Sequence, residues 1–103
     1  MVKLIILFRT GARPVELREQ YNDFLMKLDA LPGLRRKSVS TVYGSVSGTL
    51  PYSTVVEAFF DSAEAMETAL TSPPGIMAGH LLTLFAGPDA IALFADTLEE
   101  AYQ

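Results

Sequence analysis

The sequence contains no cysteine and a single histidine, His80. Without cysteine the chain cannot form a disulfide framework, a thiolate nucleophile or a thiolate metal site. One histidine in a single chain does not suffice for the usual transition-metal sites. No glycine-rich, phosphate-binding motif opens a helix either. The sequence therefore predicts that any activity needs no cofactor, whether metal, flavin, haem or nucleotide.

Long hydrophobic runs are also missing. After Lys3 only five apolar residues follow one another, Leu4 to Phe8. This run is too short for the hydrophobic part of a signal peptide and far too short for a membrane-spanning helix. We therefore expect a cytoplasmic protein that does not associate with membranes.

Basic residues are absent from the second half of the chain. Residues 1–52 hold all eight lysines and arginines and four acidic residues, whereas residues 53–103 hold eight acidic residues and no basic one. The only basic cluster is Arg35-Arg36-Lys37, so nucleic acid is not an expected partner. The opposite charges of the two halves favour attraction within the chain or between subunits.

The 103 residues are predicted to form one domain, residues 1–103. Half of them are hydrophobic, more than so small a monomer needs for its interior, which indicates self-association. Hydrophobic periodicity and turn residues predict strands over 2–8, 34–43, 52–60 and 90–94, and helices from Pro14 to about residue 31, from Ala63 to Leu70 and from Ile76 to Phe85. Asp61-Ser62 and Glu64 match a capping box at the second helix. This order predicts an α+β fold, the ferredoxin-like βαββαβ sandwich.

Strand parity separates two sheet faces, because successive side chains point in opposite directions. One face is fully apolar and suits the helices: Leu4, Ile6, Phe8, Val56, Ala58 and Phe60. The other is still largely apolar: Lys3, Ile5, Leu7, Val55, Glu57 and Phe59. We expect this second face to meet the sheet of another copy in a homodimer, with Lys3 and Glu57 paired on neighbouring strands.

Three segments carry a resemblance to a known family. They are Leu31-Pro32-Gly33-Leu34, the stretch from Val56 to Ala65, and the stretch from Ala69 to Gly75. In this order they resemble the EthD-like family of the dimeric α+β barrel superfamily, over nearly the whole chain. The resemblance implies two ferredoxin-like sheets that face each other in a dimeric α+β barrel. Many relatives carry a histidine eight residues before the proline of Leu-Pro-Gly-Leu, and this chain has Phe24 there.

The candidate catalytic residues are His80 and Tyr21. Histidine is the side chain that titrates near neutrality, and a helical wheel places His80 between Ile76 and Leu84 on an apolar arc. We expect it to contact a cavity bounded by Tyr21 and by three pocket-lining aromatic residues, Phe8, Phe24 and Phe60. The structural alternatives are a boundary histidine bound to a backbone carbonyl or water, and aromatic residues that only fill the core.

Two functions remain open at this point. The resemblance implies a homodimer with a small apolar pocket that acts as a cofactor-free oxidoreductase or monooxygenase, isomerase or dehydratase on a small aromatic or ether-like compound. The alternative is a non-catalytic small-molecule-binding or accessory protein of a degradation pathway. A cavity beside His80 would favour the first function, and a filled core or an exposed His80 the second.

Overall fold

The computed structural model describes residues 1–11 and 18–102. These form a four-stranded antiparallel sheet with strand order β2-β3-β1-β4, covered on one side by helices. The elements are β1 (Val2–Arg9), α1 (Arg18–Asp29), β2 (Arg36–Thr41), β3 (Tyr52–Phe60), α2 (Ala63–Leu70), α3 (Pro73–Phe85) and β4 (Ala90–Asp96). The predicted ferredoxin-like α+β fold is confirmed. The predicted start of α1, at Pro14, lies outside the described residues.

The first strand lies in the middle of the sheet and fixes which side chains face the helices. It pairs with β3 so that Leu4 lies opposite Ala58 and Ile6 opposite Val56, and with β4 so that Leu4 lies opposite Phe94. Leu4, Ile6, Phe8, Val56, Ala58 and Phe60 are all buried in one hydrophobic cluster. The helix-facing set predicted from parity is therefore correct.

The second helix has its predicted bounds, Ala63–Leu70, and one of the two predicted N-cap residues caps it. Ser62 is the N-cap, and its hydroxyl oxygen accepts a hydrogen bond from the Ala65 amide at 3.1 Å. Asp61 instead accepts hydrogen bonds from the guanidinium of Arg35, at 2.6 Å and 3.0 Å. The predicted capping box of Asp61 and Glu64 is therefore wrong, because a stronger charged partner holds the aspartate.

The third helix begins at Pro73, three residues before the predicted start. Two prolines occupy its first two positions, where a helix has no use for the amide hydrogens that proline lacks. The Ser72 hydroxyl oxygen accepts a hydrogen bond from the Gly75 amide at 3.3 Å and so caps the helix. Pro73 and Pro74 start this helix and do not merely separate it from α2.

The sheet face away from the helices carries the predicted ion pair. The Lys3 ammonium lies 2.6 Å from Glu57 Oε2, and both side chains are mostly shielded from solvent. Phe59 is buried on this face, with the Arg36 guanidinium 4.1 Å and the Lys3 ammonium 5.4 Å from its ring centre. The charged groups thus shield an aromatic ring that no helix covers.

None of the helices in the described ranges is long and apolar enough to cross a membrane.

Candidate functional site

A cavity of about 250 Å³ lies between the sheet and the helices. The sheet contributes Leu4 and Ile6 from β1 and Ala92 and Phe94 from β4. The helices contribute Phe24, Leu28, Leu70, Gly75, Ala78, Gly79 and Leu82. Every described lining residue is apolar or glycine, so the cavity suits a molecule that needs no hydrogen bond.

The fold explains why the cavity lies at this position. Strand β4 is at the edge of the sheet, and α3 faces it with residues that have little or no side chain, Gly75, Ala78 and Gly79. The deep wall is formed by Ile6, Phe24 and Leu28, which are almost completely buried. Phe94 is 68% exposed and Gly79 is also exposed, so these residues form the entrance.

Phe24 lines this cavity and also belongs to a cluster of four aromatic rings, with Phe8, Tyr21 and Phe85. Its ring centre lies 6.4 Å from that of Phe8 and 5.6 Å from that of Phe85. Tyr21 packs edge-on against Phe8 at 5.9 Å and against Phe85 at 5.8 Å. Such edge-to-face contacts stabilise the helix–sheet interface. The cluster therefore forms the rigid support behind the Phe24 wall.

The phenol of Tyr21 is half-buried in this cluster. Burial raises the pKa of Tyr21 above the ordinary tyrosine value, because the phenolate would lose solvation. The group is therefore protonated at neutral pH, and it can donate a hydrogen bond. Tyr21 is not among the residues that line the cavity.

His80 does not lie where the helical wheel predicts. It is exposed and, with Thr83 and Leu84, it lines an open depression on the surface. The apolar arc used for the prediction is the outer side of α3, since Ile76 is 52% and Leu84 77% exposed. The helix packs on the core through the buried Gly75 and Ala78 and through Leu81, Leu82 and Phe85. His80 is therefore not among the described residues that line the cavity of about 250 Å³.

The three predicted pocket-lining aromatic residues occupy different places. Phe24 lies in the cavity wall, Phe8 belongs to the aromatic cluster behind it, and Phe60 is fully buried in the core away from the cavity. Sequence reasoning missed the entrance residues Gly79 and Phe94. Helical spacing places residues 75, 78, 79 and 82 on one face of α3, but it does not show that this face is the buried one, and the pairing of Phe94 with Leu4 is known only from the register of the sheet.

Charged groups gather elsewhere. Three ion pairs join the basic half of the chain to the acidic half: Lys3 with Glu57, Arg35 with Asp61, and Arg36 with Glu99. A fourth, between Lys37 and Asp29, ties β2 to the end of α1. Within residues 1–11 and 18–102, no three acidic or histidine side chains come together as metal ligands.

The order of strands and helices along the chain and the antiparallel sheet order β2-β3-β1-β4 define the ferredoxin-like α+β class. The chain is similar to an ethyl tert-butyl ether (EthD) family protein from Bacillus halodurans, with 26% identity, a TM-score of 0.86, and coverage of 95% of this chain and 99% of that one. This similarity confirms the resemblance to the EthD-like family that the sequence motifs indicated.

Two more distant structures share the fold. SnoaB, a cofactor-independent oxygenase from Streptomyces nogalater, is 15% identical, with a TM-score of 0.72 and coverage of 99% of this chain and 97% of that one. A dimeric ferredoxin-like protein of unknown function from Thermobifida fusca is 18% identical, with a TM-score of 0.67 and coverage of 93% and 90%. No protein-family model and no curated protein matches the chain.

Proposed function

We propose that the protein is a homodimer in which each protomer binds one small apolar molecule between α1, α3 and the sheet. The observation that carries this proposal is the cavity of about 250 Å³, whose described lining is apolar throughout. Such a lining stabilises a hydrocarbon-like ligand by removing its surface from water, at about 25 cal/mol per Å². The same lining offers no partner to a polar group.

The dimer is supported by the sheet face opposite the helices. Ile5, Leu7, Val55 and Ile91 are only partly buried there, and Leu93 is 46% exposed. Contiguous apolar surface of this kind is typical of protein interfaces. Three proteins with a similar fold are described as dimeric. These observations support our proposal that a second copy packs on this face.

A second candidate function is cofactor-free oxidation of the bound molecule. It is supported by the fold shared with SnoaB, which is described as a cofactor-independent oxygenase. Isomerisation and dehydration receive less support, because both need an acid or base in contact with the substrate. The described residues of the lining hold no titratable side chain, and His80 is on the outside of α3. Binding is thus the function that the site supports best.

Binding is tested by titrating the protein with toluene, naphthalene and ethyl tert-butyl ether while methyl resonances are followed by NMR. We expect saturable shifts at Leu28 and Leu82 in the cavity, with little change at the control positions Leu84 and Leu93. Shifts confined to the two control positions would overturn the proposal, and so would no binding of any of the three compounds up to its solubility limit. The oxidation candidate is tested by oxygen uptake with 1,4-dihydroxynaphthalene, a hydroquinone that itself supplies the two electrons that reduce O₂ to hydrogen peroxide, against the same mixture without protein.

A further inference from the structure

We propose that Gly79 controls entry to the cavity and, with the apolar lining, restricts it to uncharged molecules of one or two rings. This inference rests on the proposed binding function and adds the residue that sets the ligand's size. Gly79 lies near the middle of α3, with Phe94 of β4 also at the entrance. Gly79 and Phe94 are both exposed at the opening.

Packing does not require a glycine at this position. A Cβ atom built on Gly79 has no heavy atom within 4 Å, and the backbone there is ordinary helix. Glycine inside a helix is less stable than almost any other residue because of its backbone entropy. Neither a close contact nor a dihedral angle therefore requires glycine at position 79. What glycine provides is open space at the entrance, which a larger side chain would fill.

The volume of the cavity sets the size of the ligand. A cavity of about 150 Å³ lined by leucine, isoleucine and phenylalanine stays dry and binds benzene. The cavity here measures about 250 Å³ and has the same kind of lining. It therefore has room for a second ring or for a branched substituent of similar size.

The surroundings also determine the charge of the ligand. The thirteen residues of α3 include no acidic residue, lysine or arginine, and the described lining includes none either. A carboxylate or ammonium group that entered would lose its hydration without gaining a partner. An uncharged molecule meets no such cost.

The test uses the full chain and three probes: benzene, naphthalene and 1-naphthoate, measured by isothermal titration calorimetry. Gly79→Leu should weaken naphthalene binding at least tenfold, because the new side chain occupies the entrance. Gly79→Ala adds a single methyl group and should weaken naphthalene binding more than benzene binding. The matched control is Gly44→Leu, at a glycine that also has open space around it but lies in the loop before β3.

For the unaltered protein we expect 1-naphthoate to bind at least tenfold more weakly than naphthalene. Naphthalene binding to Gly79→Leu within threefold of the unaltered protein would overturn the role of Gly79 while leaving the binding function intact. Equal binding of naphthalene and 1-naphthoate would overturn the charge restriction. Failure of the unaltered protein to bind either hydrocarbon would overturn both proposals. Should Gly79→Leu not fold, Gly79→Ala decides the question through its ratio of naphthalene to benzene affinity.

Discussion

Two glycines four residues apart on α3, Gly75 and Gly79, have opposite surroundings: one is tightly packed and the other borders open space. Gly79 borders open space, whereas a Cβ on Gly75 would lie against the Ala69 carbonyl oxygen and 2.6 Å from the Leu70 carbonyl oxygen. Both oxygens belong to the backbone at the end of α2, which cannot move aside as a flexible side chain could. Gly75 therefore allows α3 to approach the end of α2 closely.

This contrast predicts opposite effects of the same substitution. Gly75→Ala should lower the free energy of unfolding by about 1–3 kcal/mol, since the added methyl forces the two helices apart. Gly79→Ala should raise it by up to about 1 kcal/mol through better helix propensity. Urea denaturation of both variants measures the difference. Equal effects of the two substitutions would show that α2 and α3 adjust freely to each other.

Individual residues were predicted well where strand parity decided their environment, and poorly on α3. The alternation of β1 and β3 correctly predicted the buried set that includes Ile6 and Val56, because a strand has only two faces. On α3 the helix is apolar nearly all round, so hydrophobicity could not distinguish the buried face from the exposed one. His80 was assigned to the wrong side for that reason, and Gly79 carried no hydrophobic signal at all.

At the scale of the elements, the junction of α2 and α3 shows how a single serine caps the start of a helix. A helix ordinarily begins with four amide hydrogens that lack partners inside the helix. In α3 the first two residues are prolines without an amide hydrogen, and the Gly75 and Ile76 amides bond to the Ser72 hydroxyl and carbonyl oxygens. Ser72 thus satisfies every remaining donor of the first turn.

Ser72→Ala should consequently lower the free energy of unfolding by about 1 kcal/mol, the usual effect of losing an N-cap. Ser62→Ala at the start of α2 should have a similar effect, because Ser62 also caps through one hydrogen bond. Thermal or urea unfolding provides the measurement, with Ser40→Ala on β2 as the control for a serine that caps no helix. If Ser72→Ala matched the control, the hydroxyl would contribute nothing to the start of α3.

The sequence predicted the order of the helices and strands more accurately than it predicted their first and last residues. Apolar runs and turn residues predicted β3 at its observed bounds and the end of α3 at Phe85. The start of α3 was missed because Pro73-Pro74 fits both a break and a first helical turn. Ser62 caps α2 as predicted, but the role of Asp61 was missed because its partner is Arg35, which lies 26 positions away in the chain. Long-range partners of this kind are not visible in local spacing.

For the whole molecule, the principal prediction concerns its assembly. Leu93 lies on edge strand β4, on the sheet face opposite the helices, and Leu93→Glu would place a carboxylate in the proposed dimer interface. Because that charge would lose its solvation there, we expect the variant to be monomeric at micromolar concentration. Light scattering coupled to size-exclusion chromatography gives the mass directly.

The matched control is Leu84→Glu, which changes an exposed leucine on the helix side of the protomer. It should remain dimeric. A single-chain mass for the unaltered protein would contradict the proposed homodimer. A dimer that persists in Leu93→Glu would place the interface on another surface.

The central position of β1 affects how the chain folds. Its partners are β3 and β4, so Val2 pairs with Phe60 and Asp96, whereas β2 and β3 form the sheet's hairpin between neighbours in sequence. Pairings between distant segments close large loops and slow folding. During synthesis β1 leaves the ribosome before β3, so this apolar strand has no partner until β3 follows. We expect β1 to pair with β3 once the β2–β3 hairpin has formed. Until then the apolar side chains of β1 are exposed, and the chain is prone to aggregate.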